Sequence, residues 1–518
     1  CILMRIIIRT DASQQIGSGH VMRCLTLAES LRGFDSTVEF ITRSHVSNLD
    51  KLIKNKGFKV YSLPNPSKYR SQQSLKKYTS WLGVQQDLDA NETIQILTGE
   101  SPDYLIVDHY ALDYKWENKL RPYAKKIMVI DDLANRTHDC DVLLDQNYVH
   151  DQGRSHKLLS PSATQLLGPK YTLLRKEFEE ICKDRQQSYD TIKSVFIFFG
   201  GIDVGNLTTM ALEVLMHPNL IHLSLNVVIG ANNPYQDMVM NQIEKHPHAK
   251  LHVQVDNMAE LMKESDIVLG AGGSTIWEWM SIGLPSIVVT TAENQISSVK
   301  SLAQDNYIKW LGNIDQVSKQ IISKAFLEAM NNSKPLCKQS RKSQELVDGN
   351  GTQSVAKLLT IGPSIQTLEV RRAKISDSLL YWHWANDPTV RINAFNQHKI
   401  RWEEHQAWFN ERLADFNTKL LLIESEAGPV GQVRLNRSDS NYIISYSIAR
   451  QFRGLSLGQV VLTKAIDYLR QREVATLIGD VKENNLASIK IFNQLGFDEV
   501  ASHQKGVIRF QLHNNILK

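Results

Sequence analysis

A histidine set directly behind two glycines, where an apolar strand turns into an apolar-periodic helix, is the residue of this chain best placed to do chemistry. Gly17-Ser18-Gly19-His20 follows Arg5-Ile6-Ile7-Ile8-Arg9 and opens a helical pattern from Met22 to Leu31. Glycines there permit a tight turn into a helix N-terminus, where free N–H groups and the helix dipole attract anions. The same dipole disfavours an imidazolium, so His20 is expected to stay neutral and act as a general base. A second turn of this kind, Gln451-Phe452-Arg453-Gly454-Leu455-Ser456-Leu457-Gly458, follows another strand near the end of the chain. Its backbone amides and Arg453 suit a pyrophosphate.

The elements around the first turn alternate. Val38–Ile41, Lys59–Leu63, Tyr104–Asp108 and Lys126–Asp131 read as strands, with helical patterns such as Ser47–Lys56 between them. Strand–helix alternation implies a parallel sheet wrapped by helices. The pattern restarts at Val195–Phe199, followed by Gly200-Gly201, and continues through Ser224–Ile229, Leu251–Val255, Ile267–Leu269 and Ser286–Thr290. A helix over Gln353–Leu359 is expected to close this second unit. A third unit begins at Leu368–Arg372, after the linker 361–366. It contains Trp-rich helices, strands over Lys419–Glu424, Pro429–Leu435 and Tyr442–Ile448, the second Gly-containing turn, and further helices and strands. The expected units are residues 4–165, 166–360 and 367–518. Trp382, Trp384, Trp402 and Trp408 have the helical spacing of core residues, with one or two available to wall a pocket.

Composition narrows the function. The 518 residues suit two to four domains, and 42% hydrophobic with 22% charged residues is ordinary for globular proteins. A net charge of +4 gives no case for nucleic acid as a partner. The five cysteines, Cys1, Cys24, Cys140, Cys182 and Cys337, contain no CxxC pair. A reduced cytoplasmic protein without a metal site is expected. No signal-peptide pattern and no run of roughly 18 apolar residues is visible, so no membrane association is expected.

The stretch Arg9 to Ala28 resembles the opening of the UDP-sugar hydrolases of pseudaminic acid biosynthesis, relatives of MurG-like glycosyltransferases and of spore-coat polysaccharide proteins. The resemblance continues through Val107-Asp108-His109-Tyr110, Phe199-Gly200-Gly201-Ile202-Asp203, Gly270 to Glu278, Glu293-Asn294-Gln295 and Asp348-Gly349-Asn350-Gly351. It covers roughly residues 4–360. It implies a GT-B module, two Rossmann-like doubly wound domains facing a crevice. It implies His20 as the base that activates water at the anomeric carbon. Tyr110 would line the sugar pocket, and Asp11 and Arg23 would position substrate or orient His20. Gly17 and Gly19 shape the turn. Gly201, Gly272, Gly273 and Ser274 would meet the diphosphate, Glu278 the ribose, Met258 the uracil region, and Asn294 and Gln295 the sugar or phosphates.

Gln451-x-x-Gly454-x-Ser456 resembles the pyrophosphate loop of GNAT acetyltransferases, with Ser at the last small position. Asn485-Leu486-Ala487-Ser488, Phe492 and Gly496-Phe497 resemble that family's second signature, and Trp382 to Arg391 its first helices. The resemblance implies a mixed α/β domain that uses acetyl-CoA. The implied contacts are Ile448, Gln451, Phe452, Arg453, Gly454, Ser456, Leu457, Gly458, Asn485, Ser488 and Phe492. Many relatives carry Tyr where Phe492 stands and Glu on the central strand, where Tyr442-Ile443-Ile444-Ser445-Tyr446 has none. The base is therefore open among Tyr446, His405 and Glu483. Together the two halves imply a bifunctional enzyme. Its acetyltransferase would acetylate the 4-amine of UDP-4-amino-4,6-dideoxy-N-acetyl-β-L-altrosamine. Its hydrolase would release the diacetamido sugar and UDP with inversion. The alternatives are a GT-B glycosyltransferase with an appended acyltransferase, or a binding protein with one degenerate domain.

Overall fold

The computed structural model describes residues 4–34, 36–68, 78–150, 159, 163–182, 191–360, 368–425, 428–453, 457–502 and 504–514. The expected linker lies outside them.

Three sheets organise the chain. The first comprises β1 (Met4–Thr10), β2 (Ser36–Arg43), β3 (Lys59–Leu63), β4 (Tyr104–Asp108), β5 (Lys126–Ile130), β6 (Val142–Asp145) and β7 (Thr164–Leu167), in the order β3-β2-β1-β4-β5-β6-β7. All its pairings are parallel. Ile6, Ile7 and Ile8 are wholly buried because helices cover both faces of such a sheet. The expected boundary at 165/166 falls inside β7.

The second sheet comprises β8 (Ser194–Phe198), β9 (Ser224–Ile229), β10 (Ala249–Val253), β11 (Ile267–Ala271), β12 (Ser286–Thr290) and β13 (Lys309–Asn313), all parallel, in the order β10-β9-β8-β11-β12-β13. In each sheet the strand order reverses beside the first strand, between β1 and β4 and between β8 and β11. Ligands of open α/β sheets bind at such switch points, outside the carboxyl ends of the strands.

Helix Gly351–Thr360 does not close the second unit, contrary to expectation. Its Val355, Ala356 and Leu359 belong to the core of the first unit, with Leu27, Ala28 and Leu31 of helix Gly19–Arg32. Gly351 begins this return because a Cβ there would lie 2.4 Å from the Thr172 carbonyl oxygen. Next to it, the Thr352 hydroxyl is within hydrogen-bond distance of both backbone polar groups of Leu174, at 2.8 and 2.9 Å.

The third sheet comprises β14 (Leu368–Arg372), β15 (Thr418–Ser425), β16 (Gly428–Ser438), β17 (Asn441–Ile448), β18 (Ala475–Lys482), β19 (Asp498–Val500) and β20 (Val507–Asn514), in the order β14-β15-β16-β17-β18-β20-β19. Only β17 and β18 are parallel, and they pair only from Asn441 to Ile443. Beyond that the two strands part, which opens a gap along Ser445–Ile448.

This domain is not tethered loosely. Leu379, Trp382 and Trp402 share one core with Tyr148, Tyr307, Leu346 and Val347 of the first two units. The His150 ring stacks on Trp402 at 4.9 Å. Asp305 accepts hydrogen bonds from Tyr148 Oη (2.6 Å) and Gln406 Nε2 (2.8 Å), and His150 Nε2 lies 2.8 Å away. Lys170 bridges to Asp377 at 3.3 Å and Glu424 at 3.1 Å. Trp402→Ala is expected to cost roughly 3–5 kcal/mol by emptying this shared core. Calorimetry should show both modules destabilised. An unchanged melting profile for the N-terminal module would contradict the shared core.

Candidate active site

The turn before His20 is held by geometry that glycine supplies. Gly17 has φ +79° and donates from its N–H to the Ser13 carbonyl at 2.8 Å. Helix Gly19–Arg32 then starts, and His20 lies in its first turn at the β1/β4 switch point. β4 ends there on Asp108, whose carboxylate is wholly buried.

Asp108 fixes the histidine. Its Oδ1 lies 2.6 Å from His20 Nδ1, and Arg23 donates to Oδ1 from Nη2 and to Oδ2 from Nε, both at 2.6 Å. Burial alone would raise this carboxyl's pKa, but the charge of Arg23 and the hydrogen bonds from Arg23 and His20 outweigh burial and hold it well below the usual carboxylate range. An ionised carboxylate only accepts, so Nδ1 carries a proton towards Asp108. Arg23 also donates to Asp132 at 2.9 Å, and Tyr110 Oη donates to the same carboxylate at 2.5 Å. Burial, then Asp132, raises the Tyr110 pKa well above its ordinary value, so the phenol stays protonated. Its ring stands edge-on to His20 at 4.5 Å and stacks on Trp81 at 5.5 Å.

The facing wall comes from the second unit. Gly272-Gly273-Ser274 follows β11 and leads into helix Thr275–Ser281, while Asn294 and Gln295 open helix Glu293–Gln304. A Cβ on Gly19 would lie 4.0 Å from Ser274 Oγ, so the two glycine turns face each other. A cavity of about 170 Å³ lies between the units. Gly19, His20, Arg23, Trp81, Tyr110, Asp132 and Asn147 line one side, and Gly272, Gly273, Ser274, Trp277, Asn294 and Gln295 the other.

Several expected residues lie elsewhere. Asp11 does not orient His20. It is wholly buried, paired with Arg9 at 2.6 Å, and accepts from the Arg43 N–H at 2.6 Å. Burial would raise its pKa, but Arg9 holds it well below the usual range. Glu278 does not line the cavity either. It pairs with Arg175 at 3.0 Å, and burial raises its pKa. Met258 is a core residue at the start of helix Met258–Lys263, and Gly201 follows β8 beside Gly230. Asp108, Asp132 and Trp81 were not assigned roles from sequence. The usable signal for Asp108 was its place as the last residue of the strand next to β1.

In the third unit, Gly454, Ser456 and the Gln451 side chain lie outside the described residues. Phe452 is a core residue. Arg453 donates to the Ile448 carbonyl and to Asp387, both at 2.9 Å. Leu457 and Gly458 start helix Leu457–Arg470, with Gly458 packed closely on Ile491. Asn485 caps helix Leu486–Gln494 by accepting from the Ser488 N–H at 3.3 Å, and Ser488 Oγ lies 3.0 Å from Tyr446 Oη. Phe492 packs in the core, stacked on Phe510 at 5.2 Å, because Gly479 leaves room for its ring. His405 is buried against the Ser378 carbonyl at 2.9 Å, and burial lowers its pKa to about 4. Glu483 is exposed. Of the three candidate bases, Tyr446 stands in the part of β17 that has separated from β18. Trp382, Trp384 and Trp402 are buried, and Trp408 is half-buried. No helix among the described residues is long and apolar enough to cross a membrane. No group of three or more His, Cys, Asp or Glu side chains among them could hold a metal ion.

The loop that carries Asp132 has its own anchor. His138 Nδ1 lies 2.6 Å from Glu117 and its Nε2 3.4 Å from Asp131, which also pairs with Arg136 at 2.8 Å. Burial would lower the His138 pKa, but Asp131 and Glu117 outweigh it and raise the value to about 9. A raised folded value stabilises below the unfolded pKa, and that stability is lost as pH rises through about 9. His138→Gln is therefore expected to lose up to roughly 3 kcal/mol near neutral pH, with the difference from wild type vanishing above pH ~9. Denaturant titrations across pH measure this. A pH-independent difference would contradict the charged His138.

Residues 195–359 match the glycosyltransferase family 28 C-terminal domain, and residues 367–498 the acetyltransferase (GNAT) domain. An uncharacterised protein of Methanocaldococcus jannaschii is 26% identical over 514 residues, covering 95% of this chain and 96% of its own length. The UDP-2,4-diacetamido-2,4,6-trideoxy-beta-L-altropyranose hydrolase of Campylobacter jejuni is 26% identical over 307 residues, 59% of this chain and 98% of that protein. The spore coat polysaccharide biosynthesis protein SpsG of Bacillus subtilis is 28% identical over 193 residues, 37% of this chain and 57% of that protein. The chain thus joins a part similar to a UDP-sugar hydrolase, whose residues 195–359 match the glycosyltransferase family 28 C-terminal domain, to a domain that matches the GNAT acetyltransferases.

Proposed function

We propose that the chain carries out two consecutive steps on one UDP-linked amino sugar. The acetyltransferase domain acetylates the 4-amine of UDP-4-amino-4,6-dideoxy-N-acetyl-β-L-altrosamine with acetyl-CoA. The GT-B module then hydrolyses the diacetamido product to free sugar and UDP. The observation that carries this reading is the His20–Asp108–Arg23 set, of which His20 and Arg23 line one cavity with the Gly272–Ser274 turn.

In the hydrolytic step, water attacks C1, a C1–O bond forms, and the bond to the diphosphate breaks with its electron pair leaving on UDP. His20 Nε2 takes the proton from water. Asp108 stabilises the imidazolium and keeps the ring in the tautomer the step needs. Attack opposite the leaving group inverts C1. Backbone amides of the Gly272–Ser274 turn, the Ser274 hydroxyl, Asn294 and Gln295 supply donors to the diphosphate, so its departure needs no separate acid. Arg23 serves by fixing Asp108, and Tyr110 by fixing Asp132 and supporting the His20 ring.

In the acetylation step, the amine nitrogen attacks the thioester carbonyl, the C–S bond breaks, and the amine proton ends on the CoA thiol. Acetyl-CoA lies in the gap between β17 and β18, against the start of helix Leu457–Arg470, with Asn485 and Ser488 beside it. Tyr446 Oη, hydrogen-bonded to Ser488, is the group available to relay a proton.

The glycosyltransferase family 28 match of residues 195–359 favours one other reading, in which a sugar hydroxyl replaces water at C1. Product analysis by mass spectrometry and proton NMR separates the two. Acetyl-CoA-dependent release of UDP and a diacetamido sugar in buffer supports hydrolysis. UDP release only with an added glycan acceptor overturns it. His20→Ala is expected to cut UDP release by about 10²–10⁴-fold and leave acetylation intact, so that acetylated UDP-sugar accumulates. Asp108→Asn should lower UDP release by about 10²–10⁴-fold, by removing the carboxylate that sets the tautomer.

A further inference from the structure

One arginine of the third sheet has no carboxylate partner among the described residues. On β16, Gln432, Arg434 and Asn436 point to one face, and Arg434 lies opposite Ser445 of β17. Gln432 Nε2 donates to Ser447 Oγ at 3.2 Å, so Ser445 and Ser447 share that face. Arg434 is only partly exposed, and its Nε is sealed from solvent without a hydrogen-bond partner. No carboxylate among the described residues pairs with it. Its guanidinium lies 5.4 Å from the centre of the Trp408 ring, on helix Trp402–Ala414. One turn along that helix is Arg412, whose own carboxylate contact, Asp415, is long at 3.5 Å. Burial lowers the Arg434 pKa, and the charge of Arg412 pushes the same way.

Native interiors rarely leave a buried charge unpaired, because desolvation is costly without a partner. The buried arginines of the first unit are paired: Arg9 with Asp11 and Asp89, Arg23 with Asp108 and Asp132, Arg43 with Asp89 and Glu92. Arg391, whose Nε is also unpartnered, donates from Nη1 to the Asn396 and His398 carbonyls. Arg434 breaks that pattern in the part of the sheet where β17 has left β18. Two like charges beside an aromatic face and two serine hydroxyls make a receptor for a phosphate-bearing ligand.

We propose that Arg434, Arg412 and Trp408 form an anion subsite that holds the diphosphate of the acceptor, so that the amine is acetylated while the sugar still carries its nucleotide. This rests on the reading of the acceptor as a UDP-linked amino sugar. It gives a reason for the order of steps. Once UDP is released, the sugar has lost the group by which the acetyltransferase grips it. The phosphates of CoA are the other source of the same chemistry. On the proposed function these belong at the start of helix Leu457–Arg470.

The test uses the full-length chain carrying His20→Ala, so that hydrolysis does not consume the acceptor. Arg434→Gln is expected to raise the acceptor KM about tenfold or more while the acetyl-CoA KM stays within about twofold. Arg434→Lys should recover part of the loss, and Arg412→Gln should show a smaller rise. In the His20-intact background, Arg434→Gln should still release UDP from pre-acetylated UDP-sugar at the wild-type rate, which shows that the chain is folded. Calorimetric titration with UDP should give two sites in wild type and one in Arg434→Gln, independent of turnover. One identical site in both proteins overturns the subsite, and so does an unchanged acceptor KM. An equal rise in the acetyl-CoA KM assigns the anion to CoA and overturns the proposal. Loss of the second UDP site with no acetylation of the UDP-amino sugar by wild type would overturn the substrate reading and leave the anion subsite standing.

Discussion

A single buried carboxylate governs the cavity between the two parallel sheets. Asp108 is wholly enclosed, and an ionised carboxylate in that position is tolerable only when its oxygens are answered by charged donors. Arg23 supplies the charge and His20 Nδ1 a further donor, each at 2.6 Å. This requirement explains much of the local architecture. The strand order must reverse between β1 and β4 so that the end of β4 faces the first turn of helix Gly19–Arg32. Gly17 must take φ +79° so that the helix starts there. Arg23, one turn beyond His20, must reach back to the same carboxylate and across to Asp132. A tautomer useful for catalysis is then a by-product of electrostatic necessity.

Behind this set lies a second buried charge system that does different work. Arg9, Asp11, Arg43 and Asp89 are all wholly buried and pair with one another across β1, β2 and helix Gln86–Leu97. They tie the carboxyl ends of β1 and β2 together beneath the turn that presents His20. Such a network is strongly destabilised when one member is removed, because the others are left as uncompensated charges. Asp11 is thus a foundation of the site and takes no direct part in it.

The acetyltransferase domain is joined to the GT-B module by packing as well as by chain. The shared core around Trp382, Trp402, Tyr148 and Tyr307, with Asp305 receiving groups from either side, holds the two sites on one body. The M. jannaschii relative covers nearly the whole length, so the pairing of modules is found beyond this chain. On the proposed function, a product formed at one site is released at high effective concentration near the other.

Much of the fold was determined by sequence alone, because its signals are local. Apolar strand runs, the Gly-containing turns at 17–19 and 272–273 and the alternation of elements specify two doubly wound sheets and a third mixed unit. The same signals place His20, Tyr110, Ser274, Asn294 and Gln295 at strand ends and helix starts, where the structure gathers them around one cavity. What required the tertiary structure was partnership over long separations. Asp108 and Asp11 read alike in sequence, as acidic residues near the ends of strands. Only the spatial neighbours, Arg23 and His20 for one and Arg9 and Arg43 for the other, separate a site residue from a structural anchor. Helix Gly351–Thr360 has the pattern of a closing helix, yet nothing in its own residues says which unit it closes. That no carboxylate among the described residues pairs with Arg434 is likewise invisible in sequence. Such pairing is a property of the three-dimensional neighbourhood, and neighbours brought together by folding are not recorded in any stretch of consecutive residues.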